Sequence, residues 1–218
     1  MSCCCPHSRS AGKLFTFFAR RYRKRFQKKG FEPSQKQLME GIVNAGYAGS
    51  SILEVGSGVG HFHQTLLENG AQSAVGVDLA SGMIEEAGRW AQERGLAERT
   101  QYIQGDFVEG LDQDTGVADI TILDKVICCY PDAKALISKS LEKTGRVYAV
   151  TYPRKRWVTR AGEKLGIVVM RMIRSCFHPY VHDPEQIESW ITARGFEKVY
   201  QDTTYIWLTQ VYVRQPAG

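Results

Sequence analysis

Apolar positions follow two different periods along the chain. Strands are expected at 51–55, 74–78, 100–104, 118–123 and 145–151, most of them short apolar runs of the kind buried on both faces. Between them, apolar residues recur at helical spacing over 60–69, 82–94 and 132–142. Strands alternating with helices predict a parallel sheet covered by helices on both faces. Ser81 is the expected cap of the helix after the second strand. The pattern then changes. Residues 154–177 form a basic and apolar segment with Trp157, Ala161, Leu165, Val168, Val169, Met172 and Ile173 at roughly helical spacing. That stripe either packs on the sheet or faces a substrate. The run from His182 to Gln186 reads as a helix start, with Asp183 as cap and Pro184 first, and Gly195 ends that helix. Strands at 197–201 and 204–213 close the chain. So short a connection makes them an antiparallel hairpin. The expected fold is α/β: a Rossmann-like sheet of seven strands, mostly parallel, ending in an antiparallel hairpin.

Upstream of the first strand, residues 1–12 are polar and small and read as a flexible tail. Residues 13–46 read as an N-terminal helical cap. Leu14, Phe17, Phe18, Tyr22 and Phe26 approximate one stripe of a helix over 13–29 that Gly30 stops. A second helix over 34–46 is expected to start at Ser34, after Pro33. Residues 47–218 then form one domain.

Candidate chemistry begins where the first strand ends. Glu54 is followed by glycines at 56, 58 and 60, and the second strand ends at Asp78. A strand, a glycine turn, a helix and a strand ending on an acid describe a nucleoside pocket at the carboxyl edge of a parallel sheet. Gly56 permits the tight turn, Gly58 lets backbone approach a ligand, and Gly60 lets the helix pack closely. The turn is Gly-Ser-Gly-Val-Gly rather than Gly-x-Gly-x-x-Gly. Glu54 would repel a pyrophosphate, whereas a cofactor bearing a sulfonium and an ammonium group suits an acidic rim.

Glu54-Val-Gly-Ser-Gly-Val-Gly60, Val77-Asp78-Leu-Ala-Ser-Gly-Met83 and Gln104-Gly-Asp106-Phe107 resemble, in order and spacing, the motifs of class I S-adenosylmethionine-dependent methyltransferases. The resemblance covers about residues 45–213. It implies a methyltransferase sheet and S-adenosylmethionine as cofactor, held by Glu54, Gly56, Ser57, Gly58, Gly60, His61, Asp78, Leu79, Met83, Gly105, Asp106, Phe107, Leu123 and Asp124. It places the glycine turn at the methionine part of the cofactor and Asp78 at the ribose hydroxyls. Gly105 to Phe107 border the adenine, with Asp106 on its exocyclic amine, and Leu123 and Asp124 lie beneath. His61 is expected at the cofactor carboxylate, and His63 on the surface. The segment from Leu123 to Asp132, Tyr152-Pro-Arg154 with Trp157, and the end from Trp207 to Arg214 are similar to bacterial proteins related to magnesium-protoporphyrin O-methyltransferases.

The acceptor should sit among residues that follow the fourth and fifth strands. These are Lys125, Cys128, Cys129, Tyr130, Arg154, His178 and His182, with the segment 154–182 as an acceptor-side lid. Tyr130 and His182 are the catalytic candidates: the first to orient the acceptor or donate to its oxygen, the second as a general base or only as a helix-start residue. The expected reaction is methyl transfer to a small or medium apolar acceptor, at oxygen rather than nitrogen: a carboxylate or hydroxyl on a porphyrin-, quinol- or lipid-like molecule. Cys128-Cys129, with Cys3, Cys4, Cys5 and His7, keeps a thiol or metalloid methyltransferase open. No Cys-x-x-Cys spacing supports a metal site, and none is assigned. A non-catalytic protein that binds the cofactor or a partner is the alternative from another class.

Charge adds two surface features. The net charge of +5 is concentrated at residues 20–29 and in the stretch from Arg154 to Arg174. Such patches attract anions, so peripheral contact with an anionic membrane through 13–29 and 154–174 is expected. Nucleic acid is disfavoured, because the chain reads Asp124-Lys-Val-Ile where amino-methylating enzymes of nucleic acids often carry Asn-Pro-Pro-Tyr. Six cysteines without a pairing pattern, and no apolar run of the roughly 20 residues that span a bilayer, point to a reducing cytoplasmic location, peripheral at the inner membrane surface. Nothing in the sequence sets an oligomeric state.

Overall fold

A computed structural model describes residues 7–111, 115–172 and 175–216. Seven strands form one sheet: β1 (Ser51–Val55), β2 (Ser73–Asp78), β3 (Thr100–Gln104), β4 (Ala118–Asp124), β5 (Thr144–Pro153), β6 (Phe196–Thr203) and β7 (Trp207–Arg214). Their order is β3-β2-β1-β4-β5-β7-β6. The first five strands pair in parallel, and β7 inserts antiparallel between β5 and β6. The order reverses beside β1, so the connections that follow the paired strands β1 and β4 leave in opposite directions and open a crevice at their carboxyl ends. This is the sheet expected from the alternation of apolar runs.

Alternation of side chains along each strand divides the core in two. Leu53, Val55, Leu123, Tyr148, Val150 and Tyr212 face helices α5 (Ala133–Glu142) and α7 (Pro184–Thr192), meeting Leu136, Ile137, Ile187 and Ile191. Ile52, Ala74, Ile120, Val147 and Val211 face α2 (Pro33–Ala45), α3 (His61–Glu68) and α4 (Ser81–Glu93). There Leu38, Ile42, Phe62 and Leu66 are fully buried.

Helix boundaries bring several corrections. Helix α1 runs His7–Lys29, so residues 7–12 belong to the helix rather than to a tail, while 1–6 lie outside the described residues. The reason is packing: Ala11 is buried, and a Cβ at Gly12 would stand 2.8 Å from the Leu79 carbonyl oxygen. Small residues that resemble a loop in composition are what allow this close approach. Ser34 does not cap α2. Glu32 precedes the helix, Pro33 takes its first position, and the Gln35 side chain accepts from the Glu32 amide at 3.1 Å. Nor does Ser81 cap α4; the Asp78 carboxylate accepts from the Ala80 amide instead. Asp183 does cap α7, accepting from the Glu185 amide. The basic and apolar segment becomes α6 (Trp157–Met172), shorter than expected, and Ile173 and Arg174 lie outside the described residues.

Candidate functional site

The turn after β1 is built by glycine. Gly56, Gly58 and Gly60 all have positive φ, of 69°, 54° and 75°, a region that costs other residues steric strain. At Gly56 a side chain is also excluded by space, since a Cβ would lie 2.3 Å from a Val126 methyl. The amides of Gly56 and Ser57 donate to the Val77 carbonyl at 2.7 and 3.0 Å, which ties the turn to the end of β2. Asp78 completes the tie. Its two oxygens accept from the Gly58 and Ala80 amides, each at 2.8 Å. Burial raises the Asp78 carboxyl to about 6, and the two backbone donors only partly offset it.

This turn forms one wall of a cavity of about 450 Å³, within the range of small-molecule sites. The expected cofactor residues Glu54, Gly56, Ser57, Gly58, His61, Asp78, Leu79, Met83, Gly105, Asp106, Phe107 and Asp124 line it. Leu123 and Gly60 do not line it. Leu123 is fully buried in the core beneath, and Gly60 faces Gln64 and His63 as the residue before α3.

Three buried polar atoms in the cavity residues have no partner in the protein: Ser57 Oγ, His61 Nδ1 and Asp124 Oδ1. Such groups are costly unless something satisfies them. The Gln35 side-chain amide donates to Asp124 Oδ2 at 2.7 Å and stands 2.9 Å from His61 Nε2. Burial lowers the His61 pKa to about 4, so the ring is neutral near pH 7. Its Nε2 then accepts from Gln35, and the hydrogen-bond pattern assigns the proton to Nδ1. The site therefore offers an unpaired donor and an unpaired carboxylate oxygen, which match the carboxylate and ammonium of an amino acid. Burial pushes the Asp124 carboxyl up, opposed by the Lys125 charge and by the Gln35 bond.

Two acid–base expectations are corrected. Glu54 is not a rim anion left for the ligand. It is 2% exposed, and its Oε2 lies 2.6 Å from Nδ1 of His63, which is fully buried rather than on the surface. The His63 amide donates to the same oxygen, and the His63 Nε2 meets the Tyr102 hydroxyl at 3.0 Å. Glu54 touches the cavity but spends its charge on α3.

A second wall is aromatic and cationic. Phe15, Tyr22, Arg25 and Phe26 of α1 line the cavity, with Glu32, Lys125 and Trp207. Glu32 is clamped by Arg25 at 2.6 Å and Lys125 at 2.5 Å, and the Lys125 ammonium lies 5.1 Å from the centre of the Trp207 ring. Lys125 has φ 60°, the sole positive value among the described residues other than glycine. Apart from Lys125, whose place after β4 marked it, sequence reasoning missed this wall. The apolar stripe of α1 was a signal for a buried face but not for what that face covers.

Tyr130 and His182 meet, but not as a reacting pair. The Tyr130 hydroxyl donates to Asp106 Oδ1 at 2.9 Å, on the side expected to hold the adenine. His182 lies outside the cavity and its Nε2 contacts the Tyr130 backbone carbonyl at 3.0 Å. This contact ties His182 to the loop that follows β4. The neighbouring Tyr180 amide donates to the Cys128 carbonyl at 2.8 Å. Among the described residues of 154–182, Arg154 and His178 included, none lines the cavity. The sulfurs of Cys128 and Cys129 are 3.8 Å apart, and the neighbouring thiol together with burial pushes the Cys128 thiol well up. A protonated thiol is a poor soft-metal ligand. Among the described residues no group of three or more metal-binding side chains is found.

Residues 52–146 match the sequence profile of a family described as Methyltransferase domain. This stretch of the chain is similar to methyltransferase domains, and it spans the first four strands of the sheet. The unpaired donor and carboxylate oxygen described above fit the amino-acid end of S-adenosylmethionine, the cofactor that the sequence motifs imply. The fold is similar to magnesium protoporphyrin IX methyltransferase from Synechocystis PCC 6803 with bound S-adenosylmethionine, with a TM-score of 0.72 and 19% identity over 99% of this chain and 100% of that one. It is also similar to geranyl diphosphate C-methyltransferase from Streptomyces coelicolor, with a TM-score of 0.64 and 12% identity over 83% of this chain and 77% of that one. A curated relative, ribosomal protein L11 methyltransferase from Exiguobacterium, is 24% identical over 74% of this chain and 48% of its own length. This chain thus spans about half the length of that relative.

Proposed function

We propose that the domain transfers a methyl group to oxygen, a carboxylate or hydroxyl, on a small or medium apolar acceptor of porphyrin-, quinol- or lipid-like character. One observation carries this reading. The cavity joins a polar cofactor wall to an aromatic wall bearing Arg25 and Lys125. The cofactor supplies an activated methyl on a good leaving group. The chain has to orient the acceptor and keep water out, and Phe15, Tyr22, Phe26 and Trp207 provide the apolar surface for both. Glu54, Asp78, Asp106 and Asp124 lie in the rest of the lining, whereas on this wall Arg25 and Lys125 outnumber Glu32, the acid between them. That excess attracts an anionic acceptor and opposes an ammonium. A carboxylate is already a nucleophile and needs no base. His61 suits this, since it is neutral with Nε2 held by Gln35 and is placed to bind rather than to accept a proton.

The reading is tested by incubating the full chain with cofactor labelled at the methyl group and a panel of porphyrins, quinols, fatty acids, thiols and RNA. Label in an oxygen-methylated apolar product supports it. Label only in thiols or RNA, or in nothing while the cofactor still binds, overturns it.

A further inference from the structure

Helix α6 is an amphipathic helix whose apolar face points outward. Its inner face is fixed by two contacts: Glu163 accepts from the Val181 amide at 3.0 Å, and Gly166 packs on Pro179, where a Cβ would stand 2.8 Å from the ring. At about 100° per residue, Trp157, Val168, Met172, Leu165 and Val169 then occupy an arc of about 120° on the opposite side. All are exposed, Trp157 by 77%, Leu165 by 66% and Met172 by 78%. A soluble helix normally buries this stripe. Arg160, Lys164 and Arg171 form the adjoining stripe, and Glu163 on the packed face is the one acid between residues 154 and 172.

The apolar surface continues towards the cavity. Arg156 stacks over Tyr205 at 5.0 Å, and the Arg154 amide donates to the Ile206 carbonyl at 2.8 Å. Tyr205 and Ile206, in the turn between β6 and β7, are exposed, and the next residue, Trp207, lines the cavity. Among the described residues no helix is long and apolar enough to cross a membrane.

We propose that α6 and the β6–β7 turn dock on the surface of an anionic lipid bilayer, with the apolar arc in the acyl boundary and the basic stripe against the headgroups. This rests on the reading of an apolar acceptor, which would then reach the cavity from the bilayer past Trp207. Charge selects the occupant. A second copy of the chain would bring one basic stripe against another, and RNA would leave the apolar arc in water.

The test is cosedimentation of the full chain with vesicles of phosphatidylcholine, with and without phosphatidylglycerol. The chain should pellet with the anionic vesicles and lose binding as salt rises. The double variant Leu165→Glu, Val168→Glu should bind about tenfold more weakly, and so should Lys164→Glu, Arg171→Glu. Circular dichroism and cofactor affinity should stay unchanged in both, because none of these residues lines the cavity. Failure of the full chain to bind anionic vesicles overturns the proposal. So does equal binding by the variants, a self-association that Leu165→Glu abolishes without any vesicle binding, or binding to RNA alone. Vesicle binding without methyl transfer to any apolar acceptor would instead sink the acceptor reading and leave the docking surface standing.

Discussion

Glu54 Oε2 and His63 Nδ1 lie 2.6 Å apart in the core, with side-chain exposures of 3% and 0%. The pair joins the end of β1 to the first turn of α3, and so sets how the glycine turn between them is held. Removing one member of a buried pair leaves the other uncompensated, at a cost of roughly 3–5 kcal/mol. His63→Ala should therefore lower the melting temperature by about 6–20 °C, at roughly 2–4 °C per kcal/mol for a chain of this size. Surface residues rarely do this. A loss below about 2 °C in a calorimetric scan would show that the pair is not what holds the turn.

Asp78 predicts two opposite pH trends. Burial raises its carboxyl from the ordinary 3.8 to about 6. Between those values the unfolded chain binds fewer protons than the folded one, so the stability of the cofactor-free protein falls as pH rises through that window. The effect is roughly 3 kcal/mol for a shift of about two units. Asp78→Asn carries no charge, so its stability relative to the parent should improve by about that amount between pH 4 and pH 7, whatever the fixed cost of a weakened backbone bond. The motif resemblance gives Asp78 the ribose hydroxyls of the cofactor, and the ionised form is the better acceptor for them, so cofactor affinity should run the other way. Titration calorimetry should find binding about tenfold weaker at pH 5 than at pH 7, and Asp78→Asn should abolish both the affinity and its pH dependence.

Tyr130 was expected at the acceptor and is found bonded to Asp106. Burial first, and then the Asp106 charge, pushes its hydroxyl pKa upward, so it remains a donor. Tyr130→Phe removes one hydrogen bond from Asp106, worth about 1 kcal/mol, or roughly a fivefold weaker cofactor affinity. Turnover at saturating cofactor should be unchanged. His182 acts on the same loop through the Tyr130 carbonyl, so His182→Ala and Tyr130→Phe should combine less than additively. A large loss of turnover with unchanged affinity in Tyr130→Phe would return this tyrosine to the chemistry.

The sheet was legible in the sequence because buried parallel strands are continuous apolar runs, and Glu54, Asp78 and Asp106 were placed by the spacing of strand ends. What was not legible depends on which surface a side chain meets. His63 stands nine residues from Glu54, and only the seating of α3 on the sheet turns it inward. Ala11 and Gly12 look like tail residues until Leu79 is brought beside them. The stripe of α6 shows that the helix is amphipathic, but its periodicity is the same whether the apolar side faces the sheet or the solvent. The direction comes from Gly166 against Pro179, a contact between separate segments that local pattern does not encode.

Helix α1 contributes Phe15, Tyr22, Arg25 and Phe26 to the cavity wall. Arg23 fastens that helix to α4: it bonds Glu86 at 3.0 Å and also Glu93, and its guanidinium lies 5.3 Å from the centre of the Trp90 ring. Phe15, Tyr22 and Phe26 can line the cavity only while α1 is seated. If seating is one state of an equilibrium, apparent cofactor affinity scales with its population. Arg23→Ala deletes both ion pairs and the ring contact, so the cofactor should bind about tenfold more weakly, a change of roughly 1.4 kcal/mol. The change should lie in the dissociation rate, because the wall opposes exit more than encounter. High salt should act in the same direction on the parent protein, although less strongly, since the Glu86 end of the link is shielded from solvent. Arg20, exposed on the same helix, is the control, and Arg20→Ala should leave both rates alone. Stopped-flow measurement of cofactor release decides the matter: equal dissociation rates for the parent, Arg23→Ala and Arg20→Ala would mean that α1 is a fixed wall whose seating does not depend on Arg23.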